Sequence, residues 1–261
     1  METDDVLQLL KDVAAEVINP RFRALGSEDV TSKSHPGDLV TVADREAEVL
    51  ITEALNAAYP DAVVLGEEAT SADLGTLDRF RAAEHAFTVD PVDGTKNFVK
   101  GSRDHAVMVA EVRSGEVTRS WIWQPQHEKA YVAERGAGAW RNGDRLTRPA
   151  AGKDLRGVTS RRRWIGRALG ALRALELTWV CCGVDYPKLV EGAADYALYR
   201  KPNAWDHAPG SLLLTEAGGH VSAVDGTDYG PQAATPPIIV SAADREVSDL
   251  VRGLLGDLPR L

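Results

Sequence analysis

Cysteine is nearly absent from this chain: Cys181 and Cys182 are the only two in 261 residues, and they are neighbours. A bridge between adjacent residues is geometrically awkward, so no disulfide framework is expected and the pair reads as small packed thiols. Long apolar runs are missing too. Nothing approaches the roughly 20 apolar residues of a membrane span, and the acidic start Met1-Glu2-Thr3-Asp4-Asp5 is unlike a secretory signal, which opens basic and turns apolar. A soluble, cytoplasmic protein without a membrane partner is expected. Positive charge is in short supply: Lys plus Arg is 30 against 39 for Asp plus Glu, a net charge of −9. That field repels nucleic acid, so nucleic acid is not expected as a partner. What remains, with 44% hydrophobic and 26% charged residues, is an ordinary globular composition, enough for one large domain or two small ones.

Apolar periodicity divides the chain. Val6, Leu9, Leu10, Val13, Val17 and Ile18 keep helical spacing up to Pro20, and a second helix is expected over 43–58. Between them, Ser27 to Gly37 is polar and contains Pro36-Gly37, which predicts a surface loop. Two short apolar runs, 62–65 and 86–89, read as buried strands, each ending in acids. Strands over 105–112, 117–123 and 131–133 follow, with Ser114-Gly115 as a hairpin turn. The Gly-rich turns from Arg135 to Leu146 mark the end of a first, α+β lobe over 1–146. Beyond it, over 147–261, helices (164–175, 186–191, 207–217, 244–255) alternate with extended segments (177–180, 196–199, 220–224, 238–241), which predicts an α/β second lobe.

The chemistry concentrates where strands end. Asp90 and Asp93 flank the rigid Pro91, so two carboxylates and the Val92 carbonyl converge. At about 4 Å two such charges repel by about 4 kcal/mol in a medium of effective dielectric about 20. Either one takes up a proton or a cation sits between them, and Mg²⁺ suits a site of carboxylates, a carbonyl and water. Gly94 and Thr95 then open a helix whose first amides favour an anion such as phosphate. Glu67, with Glu68, and Asp206 supply further carboxylates. Taken singly, Glu67 also reads as an exposed turn acid, Asp206 as a helix N-cap, and Asp90 to Gly94 as a structural turn.

Taken together, Gly66-Glu67-Glu68, Asp90-Pro91-Val92-Asp93-Gly94-Thr95-Lys96-Asn97-Phe98, Trp205-Asp206-His207-Ala208-Pro209-Gly210 and Glu216-Ala217-Gly218-Gly219 closely resemble the successive signatures of the inositol monophosphatase family. Asp38 to Asp44 resembles its N-terminal element. The resemblance implies a layered α-β-α-β-α sandwich of the sugar phosphatase type, shared with fructose-1,6-bisphosphatase, and Mg²⁺-dependent hydrolysis of a small phosphate monoester. It implies that Glu67, Asp90 and the Val92 carbonyl hold a first Mg²⁺, that Asp90, Asp93 and Asp206 hold a second, and that Glu67 helps with a third. Most ligands then belong to the first lobe, with Asp206 and substrate-contacting segments in the second. Thr95, bonded to Asp44, would orient and help deprotonate the attacking water, with Lys33 as the family's loop lysine. Asp93, Gly94, Thr95 and Asp206 would meet the substrate. A homodimer and inhibition by Li⁺ are implied on the same basis.

The departures concern the substrate. Inositol-cleaving relatives carry a glutamate where this chain has Tyr199, seven residues before Asp206, which puts inositol 1-phosphate in doubt and points to Asp185 as a replacement acid near the substrate. Lys96 is similar to branches that cleave histidinol phosphate or nucleotide 3′-phosphates. A noncatalytic, Mg²⁺-binding regulatory protein is the reading from another class. Arg161-Arg162-Arg163 reads as a solvated helix start, the histidines lack zinc spacing, and Trp121, Trp123 and Trp140 read as sheet core or subunit interface.

Overall fold

A computed structural model describes residues 1–33, 39–73, 75–200 and 202–258. Within the expected 27–37 loop, Ser27–Asp29 forms a tight turn and Val30–Ser32 a strand, because the latter pairs with Leu39–Thr41. Residues 34–38, Asp38 included, lie outside the described residues.

In chain order, α1 (Thr3–Val13) precedes β1 (Val30–Ser32), β2 (Leu39–Thr41), α2 (Val42–Ala58), β3 (Val63–Gly66), α3 (Glu67–Ala72) and α4 (Gly75–Ala82). Then come β4 (His85–Asp93), α5 (Thr95–Val99), β5 (Ala106–Arg113), β6 (Glu116–Gln124), β7 (Lys129–Glu134), β8 (Gly138–Arg141) and β9 (Asp144–Leu146). The last stretch holds β10 (Gly157–Thr159), β11 (Glu176–Leu177), α6 (Cys182–Val190), β12 (Tyr196–Arg200), α7 (Ala204–Glu216), β13 (His220–Ala223), β14 (Ile238–Ala242) and α8 (Arg245–Leu254). Strands β3 to β9 form one sheet in sequence order, parallel only between β3 and β4. A second sheet runs β11-β10-β12-β14-β13.

The layering follows from side chains alternating across each strand. On one face of the large sheet, Phe87, Val89, Val107 and Val109 pack against Val6 and Leu10 of α1 and Ile51 and Leu55 of α2. On the other, Ala86, Ala106, Met108 and Ala110 meet Leu189 of α6 and Leu212 and Leu213 of α7, and the same core reaches Ala197 and Tyr199 of β12. The intervening residues Tyr196 and Leu198 of β12 face outward, onto Val247 and Val251 of α8. The result is an α-β-α-β-α sandwich, in which α6 and α7 lie between the two sheets. None of the described helices is long and apolar enough to cross a membrane.

Three local expectations are revised. Residues 164–175 are not a helix: Gly166 and Gly170 take positive φ (80° and 54°), and the chain doubles back so that Gly166 N donates to the Leu175 carbonyl at 2.8 Å. The apolar spacing there serves burial of Trp164, Leu169 and Leu175 in the core under α8. The Gly-rich segment before 146 is a β-hairpin, β8 to β9, turning at Asn142 and Gly143 with φ of 51° and 87° as a two-residue turn requires. Asp206 is no N-cap: Asn203 caps α7 and Asp206 lies inside its first turn.

Candidate functional site

The site begins with a register. β3 and β4 are parallel, with Gly66 opposite Val89, so Glu67 emerges beside Asp90. Asp90 and Asp93 are three apart and would ordinarily point to opposite faces. Against β5, however, Asp90 pairs with Met108 and Asp93 with Ala106, so three steps on β4 match two on β5. This one-residue bulge, containing Pro91, which has no N–H to lose from the ladder, turns both carboxylates toward α6 and α7.

Each acid is then held differently. Asp93 Oδ2 accepts from the backbone N–H of Gly183 (2.5 Å) and the thiol of Cys181 (2.9 Å), at the start of α6. Asp206 Oδ2 accepts from Asn203 Nδ2 at 3.0 Å. Asp90 is 1% exposed, and its Oδ1 has no hydrogen-bond partner among the described residues. The thiol of Cys182 and one carboxylate oxygen each from Asp93 and Asp206 lie within 4.8 Å of one another.

Thr95 sits at the other side of the bulge. Its hydroxyl lies 3.0 Å from Asp44 Oδ1 and 3.1 Å from the Val92 carbonyl. Asp44 is fixed in turn by a reciprocal cap: Thr41, the N-cap of α2, donates its N–H (2.8 Å) and hydroxyl (2.5 Å) to Asp44 Oδ2. Gly94, at φ 82°, joins β4 to α5; a Cβ there would come 3.0 Å from Cys181 Cβ and 3.1 Å from the Asp104 carbonyl. On the third side, Lys33 Nζ bridges Glu67 and Glu68, at 2.7 Å from each. Buried Glu48 accepts from the N–H groups of Glu68 (2.8 Å) and Ala69 (2.7 Å), which sets the direction of α3. A Cβ on Gly66 would fall 2.4 Å from the Glu48 carboxyl, so glycine is required for that approach.

Crowding shows in the titration of these acids. Burial, reinforced by Glu67 and Asp93, pushes Asp90 well above the usual carboxylate range. Burial, with Glu67 and Asp93 again adding to it, also raises Asp206. Asp93 is pushed up to about 6 by burial, against the pull of its Cys181 and Gly183 bonds. Asp44 likewise reaches about 6 through burial, held back by its Thr41 bonds. Lys33 is the one cation bonded to these acids among the described residues, and it serves Glu67 and Glu68, not Asp90. An orphaned, buried carboxylate oxygen among other carboxylates fits a hard divalent cation, for which the donors Glu67, Asp90, the Val92 carbonyl, Asp93 and Asp206 are the right chemistry.

Asp44, Glu67, Asp90, Asp93, Thr95 and Asp206 thus come together. Asp185 does not present its carboxylate alongside them: it is 1% exposed, its Oδ1 accepting from Trp179 N–H (2.8 Å) and its Oδ2 from Tyr199 hydroxyl (3.2 Å). Tyr199 is stacked on Tyr186, ring centroids 5.8 Å apart. Lys96 is exposed on α5. Sequence inspection passed over Glu48, Asn203 and the Cys181 to Gly183 turn. The contacts of Glu48 and of the Cys181 to Gly183 turn span 20 to 90 residues, whereas Asn203 bonds to Asp206 three residues on, a local Asn-x-x-Asp signal at the start of α7.

The model of the inositol monophosphatase family matches residues 2–254. The inositol-1-monophosphatase of Rhizobium meliloti (strain 1021) is 35% identical over 73% of this chain and 74% of its own. The Nus factor SuhB of Xylella fastidiosa is 32% identical over 82% of this chain and 79% of its own. Among solved structures, a Thermotoga maritima IMPase superposes with a TM-score of 0.81 at 24% identity, covering 98% of both chains. An IMPase/NADP phosphatase complexed with Mg²⁺ and phosphate gives 0.78 at 24% identity, covering 97% of this chain and 92% of that one.

Proposed function

The chain belongs to the inositol monophosphatase family, and from that premise we propose that it hydrolyses a small phosphate monoester with the help of Mg²⁺. The observation that carries the proposal is the orphaned Asp90 oxygen among Glu67, Asp93 and Asp206, next to the Thr95–Asp44 pair. An acidic cluster alone serves only to bind; a hydroxyl coupled to a buried carboxylate serves to move a proton.

Glu67, Asp90 and the Val92 carbonyl would hold one ion, Asp90, Asp93 and Asp206 a second, with Glu67 turned toward a third. When bound, Mg²⁺ lowers the pKa of water and offsets charge on the phosphoryl oxygens. The protein's own part is positioning and proton transfer. Thr95 would pass a water proton to Asp44 Oδ1 as the water oxygen bonds to phosphorus and the ester P–O bond breaks, with the leaving alkoxide taking a proton from a second water to depart as the free alcohol. In the metal-free protein burial raises Asp44 to about 6, which makes it a better proton acceptor than an ordinary exposed carboxylate. Gly94 would let phosphate approach the backbone, Lys33 stays paired with Glu67 and Glu68, and Asp185 acts from behind, accepting from the Trp179 N–H.

With Tyr199 committed to Asp185, no carboxylate stands at that position to grip inositol hydroxyls, so histidinol phosphate and nucleotide 3′-phosphates rank beside inositol 1-phosphate. The test is phosphate release with and without Mg²⁺ from inositol 1-phosphate, histidinol phosphate, fructose 1,6-bisphosphate and adenosine 3′,5′-bisphosphate. Mg²⁺-dependent release from at least one is expected; none from any would overturn the reading. It would favour instead a noncatalytic role, which the likeness to proteins named Nus factor SuhB keeps in view.

A further inference from the structure

A sulfur lies beside the oxygens to which the proposed Mg²⁺ chemistry is assigned. Cys182 is the first residue of α6, and the two thiols of the pair have separate duties. Cys181 is buried and donates to Asp93 Oδ2 at 2.9 Å. Cys182 is partly exposed, and its sulfur converges with oxygens of Asp93 and Asp206 within 4.8 Å. Independently of this cluster, Asp90 Oδ1 is buried in the same group of acids without a hydrogen-bond partner.

We propose that Cys182, Asp93 and Asp206, with Asp90 beside them, form a mixed thiolate and carboxylate site that prefers a thiophilic divalent cation such as Zn²⁺ or Cd²⁺ to Mg²⁺. The proposal rests on the reading that these acids hold a divalent ion, and adds to it the selectivity conferred by sulfur. Mg²⁺ gains little from a thiolate, whereas Zn²⁺ binds thiolate sulfur at about 2.3 Å and accepts four ligands of mixed type. A side-chain rotation closes atoms within 4.8 Å onto one such ion. On binding, the Cys182 S–H bond gives way to a sulfur–metal bond and the proton leaves to solvent, with no change of oxidation state. A thiophilic ion would then exclude Mg²⁺ from the position shared by Asp93 and Asp206, so micromolar Zn²⁺ would act as an inhibitor of this particular chain.

The experiment uses the full-length protein with Cd²⁺ as the soft probe and Mn²⁺ as the hard one. Cd²⁺ should produce the ultraviolet charge-transfer band of a cadmium–thiolate bond. Cys182→Ser and Cys182→Ala should lose the band and bind Cd²⁺ at least about tenfold more weakly, while Cys181→Ser keeps the band. Mn²⁺ should bind the wild type and be lost from Asp206→Asn, with circular dichroism confirming that each variant is folded. No band in the wild type, or a band that survives Cys182→Ser, overturns the inference. If Mn²⁺ binds in that event, the carboxylate reading stands without it; if Mn²⁺ does not bind either, both fall.

Discussion

Two buried carboxylate sites lie in the same sheet and have opposite electrostatics. Glu111, on β5, is held by two arginines, Arg119 Nε at 2.5 Å and Arg113 Nη2 at 2.8 Å, and meets the ring of His85 at 2.9 Å. Burial works against its charge, yet the two guanidinium groups hold its carboxyl below the usual range. Asp90, on the neighbouring strand, is equally buried but faces Glu67, Asp93 and Asp206, and it is pushed far above that range. The protein completes the first site from its own side chains. It leaves the second incomplete, and the incompleteness is what marks it as a place for something brought from outside.

Substitution should separate the two roles. Removing a charge from the incomplete site should cost activity and not stability: Asp93→Asn is expected to lower turnover about 10³-fold, the scale of a lost charge-stabilising group, with no fall in the metal-free melting temperature. Glu111→Gln should do the converse, costing about 3 kcal/mol of stability in urea unfolding because two arginines lose a buried partner, while the folded fraction keeps its turnover. Thr95→Ala should lower turnover by about 10², the low end for proton-transfer groups, and leave Mn²⁺ affinity within about twofold; a large loss of Mn²⁺ would place Thr95 among the ligands instead.

The smallest expected effect is on pH. Asp93 and Asp44 are raised to about 6 in the folded protein, so the native state holds protons there that the unfolded chain has already lost. Their ionisation therefore weakens the metal-free fold as pH rises from about 4 through 6, and a cation must displace those protons to bind. Mg²⁺ should accordingly raise the melting temperature more at pH 7.5 than at pH 5. Equal shifts at both would show that these acids are already ionised in the free protein.

The same contrast explains what the sequence disclosed. Asp90-Pro91-Val92-Asp93-Gly94-Thr95 carries its own geometry, since the proline and the left-handed glycine are local, and the apolar runs of β4, β5 and β12 were legible as strands. Residues 164–175 misled because apolar spacing reports burial, and Trp164, Leu169 and Leu175 are buried without being helical. The Asn142-Gly143 turn was visible, but what it joined was not, because two strands of three and four residues carry too few side chains to show alternation. Least legible were the partners that fix the acids. That Glu48 caps α3 and that Asp185 turns inward to Tyr199 are facts of tertiary packing, with no pattern in the chain to announce them.

Completion of the site by divalent cations can be read from equilibrium dialysis of Mn²⁺ against the wild type and Asp90→Asn, with Glu111→Gln as the control. Two or more bound ions in the wild type and in Glu111→Gln, with at least one lost in Asp90→Asn, is the result predicted. No bound ion in the wild type, or the same number in Asp90→Asn, would contradict it.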